Sequence, residues 1–338
     1  MKIINIFAVL LLIFGSLHLL LSGGDEIPLT PGKHFPRWLK TDTVITNQTS
    51  GITFLKEDGG GKYFLLADDI GDLWRFSITR DTIFNLKKLV FAESVQRFLD
   101  NFSKKDFEEI VYDKFTGDVL VSVEGNLPGI EKYVGIYQLQ FSENNLFADT
   151  IVSFKKISIS PQKLFLKYVG NNIGYEGLAV SEKYLFLGLE GFEDKSVFSD
   201  STMIFVVDKK SMRIVKQLNT RNYKIQTICG LYCEGNNTLW GIDRNNAKIF
   251  RIKLSEKLDI VEVKYFDAKA VIPEYKDFSY GAALESVTMD NNANLYLIDD
   301  PWRKVFIPSK SVLGNLDTLT RSNFKHLIPI IYKYKVIN

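Results

Sequence analysis

The chain has 338 residues, 46% of them hydrophobic, and carries 42 basic against 40 acidic side chains. That near-balance offers no basic excess for a nucleic-acid partner, and three histidines, His18, His34 and His326, leave little material for a His-based zinc site or triad. Cys229 and Cys233 are the only cysteines; along one strand they would lie roughly 13 Å apart, beyond the ~7 Å a disulfide tolerates, so two buried free thiols are expected.

The first stretch, MKIINIFAVLLLIFGSLHLLLSGG, reads as a secretory signal spanning 1–24, with Ser22 and Gly24 suited to a cleavage site. Residues 25–338 then form the mature domain, expected to be exported to a periplasmic, cell-surface or secreted location. If uncleaved, the same run approaches the length of a membrane anchor, and only in that case does the protein meet a membrane.

TDTVITN at 41–47 is the first candidate strand. Five similar hairpins follow: TSGITF with KYFLLADD, FEEIVYD with DVLVSVEG, YEGLAVS with KYLFLGLEG, ICGLYCEG with TLWGIDR, and LESVTMD with NLYLIDD. Each has an apolar strand, a turn rich in Gly, Asn or Asp, and a second apolar strand ending on an acid. Third strands (DLWRFSI, GIYQLQF, MIFVVDK, KIFRIKL) and fourth strands (LKKLVFA, SFKKISI, IVKQLN, IVEVKYF) complete four of the units. FAESVQRFLDNF, between the first and second units, reads as a short helix.

Four antiparallel strands repeated about every 60 residues describe an all-β propeller. IPIIYKYKV at 328–336 supplies the fifth unit's third strand, and TDTVITN is free to supply its fourth and close the ring. This predicts five blades closed by an N-terminal strand. Six remain open if 308–328 holds further strands.

In a blade the innermost strand leaves one face and the second returns to it, so the first residue of one meets the last of the other at the same mouth. One ring is then Ser50, Glu108, Glu176, Cys229 and Glu285. The other is Asp68 or Asp69, Glu124, Glu190, Asp243, and Asp299 or Asp300. The interval is fourteen residues from Glu176 to Glu190, from Cys229 to Asp243 and from Glu285 to Asp299. So many carboxylates in one concavity repel unless a cation sits among them. Oxygen donors suit calcium, which accepts about six to eight of them, and Arg244, Arg303 and Lys304 are competing neutralisers. The second ring, with Arg244 and Arg303, is the candidate ligand-binding surface.

At SGI, FEEI, YEGLAV and LESV the chain resembles propellers of exported bacterial proteins, namely the esterase-like domain of phytase and the SdiA-regulated proteins, over most of residues 42–338. The first repeat is also similar to the calcium-activated nucleotidases (apyrases), five-bladed proteins that hold a central calcium with Ser and Glu side chains of inner strands. Carried over, that pattern implies Ser50, Glu108, Glu176 and Glu285 as calcium ligands, with Cys229 at a position where the family has Ser. ADDIGDLWRF resembles the apyrase DDRTG stretch but has Ile70 where the arginine belongs.

The expected function is therefore an exported calcium-binding propeller that recognises a small-molecule or protein ligand at an acidic channel mouth. The alternative is a metal-dependent phosphohydrolase, phytase-like or nucleotidase-like. No catalytic residue can be named: G-x-S-x-G, P-loop and H-E-x-x-H patterns are absent from the sequence.

Overall fold

The computed structural model describes residues 27–192, 201–268, 270–301 and 306–336. The expected signal over 1–24 lies outside them, as do Arg303 and Lys304. Among the described residues no helix is long and apolar enough to cross a membrane.

Five blades of four antiparallel strands form the ring. Blade 1 is Thr49–Asp58, Gly61–Asp68, Leu73–Thr79 and Ile83–Lys88; blade 2 is Phe107–Asp113, Asp118–Val123, Gly135–Phe141 and Thr150–Lys156. Blade 3 is Tyr175–Val180, Tyr184–Phe192, Ser201–Asp208 and Arg213–Asn219; blade 4 is Leu231–Glu234, Thr238–Asp243, Lys248–Leu254 and Ile260–Asp267. Blade 5 has Leu284–Met289, Asn294–Asp299 and Ile330–Lys335. Residues 308–328 hold two short helices, Lys310–Gly314 and Thr318–Lys325, so no sixth blade exists there. The helix expected after blade 1 spans Glu93–Leu99.

Burial follows strand position. Leu284–Met289 is buried throughout, whereas the outermost Ile83–Lys88 exposes four of its six residues. The first hairpin turns on Gly59 and Gly60, both at positive φ (58° and 77°). That pair of left-handed residues matches the twist of a two-residue hairpin. Five separate apolar clusters fill the five seams between neighbouring blades. Both cysteines are buried and free.

Closure is made by an N-terminal segment, but not by TDTVITN. Thr30–Pro31 and Arg37–Trp38 pair antiparallel with Ile330–Lys335, in the registers Thr30↔Lys335 and Ile330↔Trp38. Residues 41–47 instead fold on themselves, with Lys40 bridging Ile45 and the Thr41 hydroxyl accepting from the Val44 N–H at 3.0 Å. Side-chain bonding of this kind competes with a strand ladder. The earlier segment has the better anchors. Phe35 and Leu39 are buried in the seam between blades 5 and 1, and Trp38 meets Phe324 edge-on at 4.9 Å. Ile27–Pro28 adds a short parallel strand to the outer edge of blade 4.

The inner strands share one irregularity. The ladder slips past Ser50 in blade 1, between Phe107 and Ile110 in blade 2, past Glu176 in blade 3 and past Glu285 in blade 5. In blade 4 both Cys229 and Gly230 bond to Ile242. A bulge re-aims the extra side chain, and here it does so at the mouth of every blade. The next residue is Gly51, Gly177 or Gly230 in three blades. A Cβ on Gly51 or Gly230 would come within 2.6 Å of the neighbouring inner strand's backbone oxygen.

Candidate functional site: an acidic propeller mouth

A cavity of about 330 Å³ opens where these bulges converge. Ser50, Glu108, Glu176 and Glu285 line it, one from each of four inner strands. Cys229 occupies the fifth place, with its thiol close to the carboxylates of Glu176 and Glu190.

The second ring also contributes one residue per blade: Asp69, Glu124, Glu190, Arg244 and Asp300. The structure thus resolves the Asp68/Asp69 and Asp299/Asp300 alternatives and replaces Asp243 by its neighbour. Asp68, Asp243 and Asp299 turn away from the cavity and brace loops. Asp68 accepts from Thr49 at 2.7 Å and the Trp74 indole at 2.6 Å. Asp243 accepts from Gln226 N–H and the Asn246 amide at 3.0 and 2.7 Å. Asp299 takes the Ile330 N–H at 2.5 Å and the Tyr280 hydroxyl at 2.8 Å. The fourteen-residue interval in blades 4 and 5 therefore counted bracing acids, because it ignored which way the chain turns as it leaves the strand.

Several lining residues were invisible to sequence spacing. Gln48, Lys104, Asp106, Asn172 and Phe306 arrive from connecting loops. Asp106 is the one with a visible signal, since it directly precedes the FEEI strand. Its carboxylate meets Lys104 at 2.5 Å and the Asn126 amide at 2.7 Å.

The charges are arranged unevenly. Asp106, Glu108 and Glu124 place ligand atoms within 4.8 Å of one another, and so do Glu176, Glu190 and Cys229. Arg244 bonds Glu190 through one terminal nitrogen and Glu285 through the other. Glu124 is 2% exposed and Glu176 8%, yet Glu124 Oε1 and Glu176 Oε2 have no hydrogen-bond partner, nor does Arg244 Nε. Burial, then repulsion from Asp106 and Glu190, pushes the Glu124 carboxyl up to about 9. Burial, followed by neighbouring carboxylates, holds Glu108 and Glu176 well above the usual range. For Arg244 burial alone would lower the pKa, but Cys229, Glu285, Glu176 and Glu190 raise it well above the ordinary value. Unpartnered buried oxygens among like charges are a strained arrangement without a counter-ion.

Beneath the mouth the channel is plugged. Glu109 is 1% exposed; it accepts from Ser286 Oγ at 2.6 and 2.8 Å, from Ile110 N–H at 3.1 Å and from Ile52 N–H at 3.2 Å.

The hard oxygen donors fit a divalent cation with many oxygen ligands; Cys229 is the one misfit. Ile70 is 44% exposed on the turn after Asp69 and does not line the cavity.

No curated protein matches the chain in sequence. Among solved structures, the PQQ-bound aldose sugar dehydrogenase of Streptomyces coelicolor is similar at 10% identity, covering 89% of this chain and 98% of that one, with a TM-score of 0.47. A luciferin-regenerating enzyme is similar at 12% identity, 90% and 96% coverage and a TM-score of 0.43. A glucose dehydrogenase follows at 9% identity, 90% and 100% coverage and 0.45. Likenesses this distant carry no argument about the chemistry of this chain. The family model described as phytase-like, esterase-like activity of phytase, matches residues 46–300, about three quarters of the sequence, and the chain therefore belongs to the phytase-like family.

Proposed function

We propose that this protein is a divalent-cation-dependent phosphoric ester hydrolase working at the propeller mouth, with calcium as the expected cation. The observation that carries the reading is the juxtaposition in one cavity of unpartnered buried carboxylate oxygens on Glu124 and Glu176 with an unpartnered guanidinium N–H on Arg244. The first calls for a cation and the second for an anion, and a phosphate ester brought in beside a cation satisfies both. Membership of the phytase-like family supports the same class of substrate.

Glu108 and Glu124, with Asp106 beside them, are the residues that would hold the cation, and Ser50 and Glu176 line the same cavity. A divalent cation there supplies Lewis-acid polarisation of a phosphoryl oxygen. Arg244 binds and orients the phosphate through its free Nε–H. Its two carboxylate partners fix the guanidinium plane, so the donor is preorganised. Asp300 lines the same mouth, and burial, followed by repulsion from Glu285 and Asp69, holds its carboxyl well above the usual range. Where the nucleotidase resemblance implies an arginine this chain has Ile70, so the cationic role falls on Arg244.

The test is phosphate release from phytate and from a nucleoside diphosphate by the purified protein. It is run with calcium, magnesium or manganese and with a chelator. Cation-dependent release, reduced about 100-fold by Arg244→Met, is expected. Cation binding without phosphate release from either substrate would leave the protein a ligand-binding propeller and defeat the hydrolase reading.

A further inference from the structure

The two clusters at the mouth have equal numbers of ligand atoms but different company. Blade 2 and the loop leading into it supply the whole of one: Asp106, Glu108 and Glu124. The other is Glu176, Glu190 and Cys229, from blades 3 and 4. Into this second cluster Arg244 projects, bonding Glu190 and, across the mouth, Glu285 of blade 5. A guanidinium so held is a fixed positive charge that cannot be deprotonated at any ordinary pH. Among the described residues the cation bonded to the first cluster is Lys104, whose side chain is 42% exposed and bonds Asp106 and Asp69. Neither Glu108 nor Glu124 has a cationic bonding partner among the described residues, and Glu124 Oε1 points into the cavity unpaired.

We propose that the mouth is a two-position charge site in which Arg244 permanently occupies one position. A single divalent cation takes the other, against Asp106, Glu108 and Glu124, with Glu176 lining the same cavity. A second cation is excluded because the guanidinium already neutralises Glu190 and Glu285, and like charges a few ångströms apart in a poorly solvated cavity repel strongly. The poor calcium ligand Cys229 is tolerated for the same reason: it lies in the half that binds no cation. This rests on the cation-dependent reading above but concerns where and how many, not whether phosphate is released.

The experiment is native mass spectrometry and calorimetric titration of the chelator-treated protein with calcium, magnesium and manganese, each alone. Wild type is expected to take one equivalent. Arg244→Met should take two, because it opens the second carboxylate cluster, and Arg244→Lys should stay at one. Glu124→Gln should weaken binding at least tenfold, whereas Glu190→Gln should keep one equivalent. Should Arg244→Met fail to fold, the two glutamine variants still discriminate. Loss of the cation in Glu190→Gln but not in Glu124→Gln overturns the assignment. So do two equivalents in wild type, one equivalent in a folded Arg244→Met, or no binding of any of the three ions at millimolar concentration. A protein that binds one cation as described and releases no phosphate refutes only the hydrolase reading.

Discussion

Replacing Glu109 by Ala should cost this protein about 4 kcal/mol of stability, a large part of the roughly 5–15 kcal/mol of a typical domain. The carboxyl sits where inner strands from three blades converge, taking bonds from Ile110, Ser286 and Ile52. In the alanine variant the Ile52 N–H keeps its bond to Ser286 Oγ at 3.0 Å. The Ile110 N–H and the Ser286 hydroxyl lose their acceptor, and each stranded buried donor costs about 1–3 kcal/mol. Glu109 is 1% exposed, so the truncated side chain also leaves a cavity and its penalty adds to the sum. Burial holds the Glu109 carboxyl well above the usual range, and Glu109→Gln, which keeps the volume and an acceptor oxygen without the charge, is expected to cost about 1 kcal/mol. Equilibrium urea unfolding in cation-free buffer measures both. An alanine variant within 1 kcal/mol of wild type, or a glutamine variant as damaged as alanine, would refute the idea that Glu109 serves as a hydrogen-bonded axial plug.

Because burial and repulsion raise Glu124 from 4.5 to about 9 and move Glu108 and Glu176 in the same direction, their contribution to folding is complete below about pH 4.5. It is lost as pH rises through the folded-state values. The melting temperature of cation-free protein should fall by several degrees between pH 5 and pH 9, and saturating calcium should flatten that slope; a rise across this window in cation-free buffer would contradict the sign. Phe35→Ala removes a ring that is 1% exposed and packs on Tyr296 at 6.2 Å, so a loss of about 3–5 kcal/mol is expected. A melting temperature within 2 °C of wild type would show that the N-terminal segment does not close the ring. Gly174→Ala would place a Cβ 2.9 Å from Glu124 Cγ. Calorimetry should show weaker cation binding with little change in stability, and unchanged affinity would detach Glu124 from the cation.

The propeller was legible in the chain because hairpins are local. Strand alternation, turn residues and their recurrence about every 60 residues are all written within each unit, so five blades and the helix at Glu93–Leu99 could be read before any contact was known. The inner-strand ring was legible for the same reason: Ser50, Glu108, Glu176, Cys229 and Glu285 each open a local apolar run. Which of two adjacent acids faces the cavity was not. Asp68 and Asp69, or Asp299 and Asp300, differ by one residue in a strand that is about to turn, and the outcome depends on where donors distant in the chain or on the next strand, such as Trp74, Tyr280 and Ile330 N–H, lie. Closure by Phe35 and Trp38 rather than by TDTVITN was likewise settled by packing. Both segments can extend, but only the earlier one carries aromatic rings: Phe35 fills the seam between the last blade and the first, and Trp38 packs on Phe324. The pairing of Arg244 with Glu190 and Glu285 is the clearest case of this kind. It joins residues of three successive blades, and no spacing along the chain encodes a contact that exists only once those blades have packed side by side.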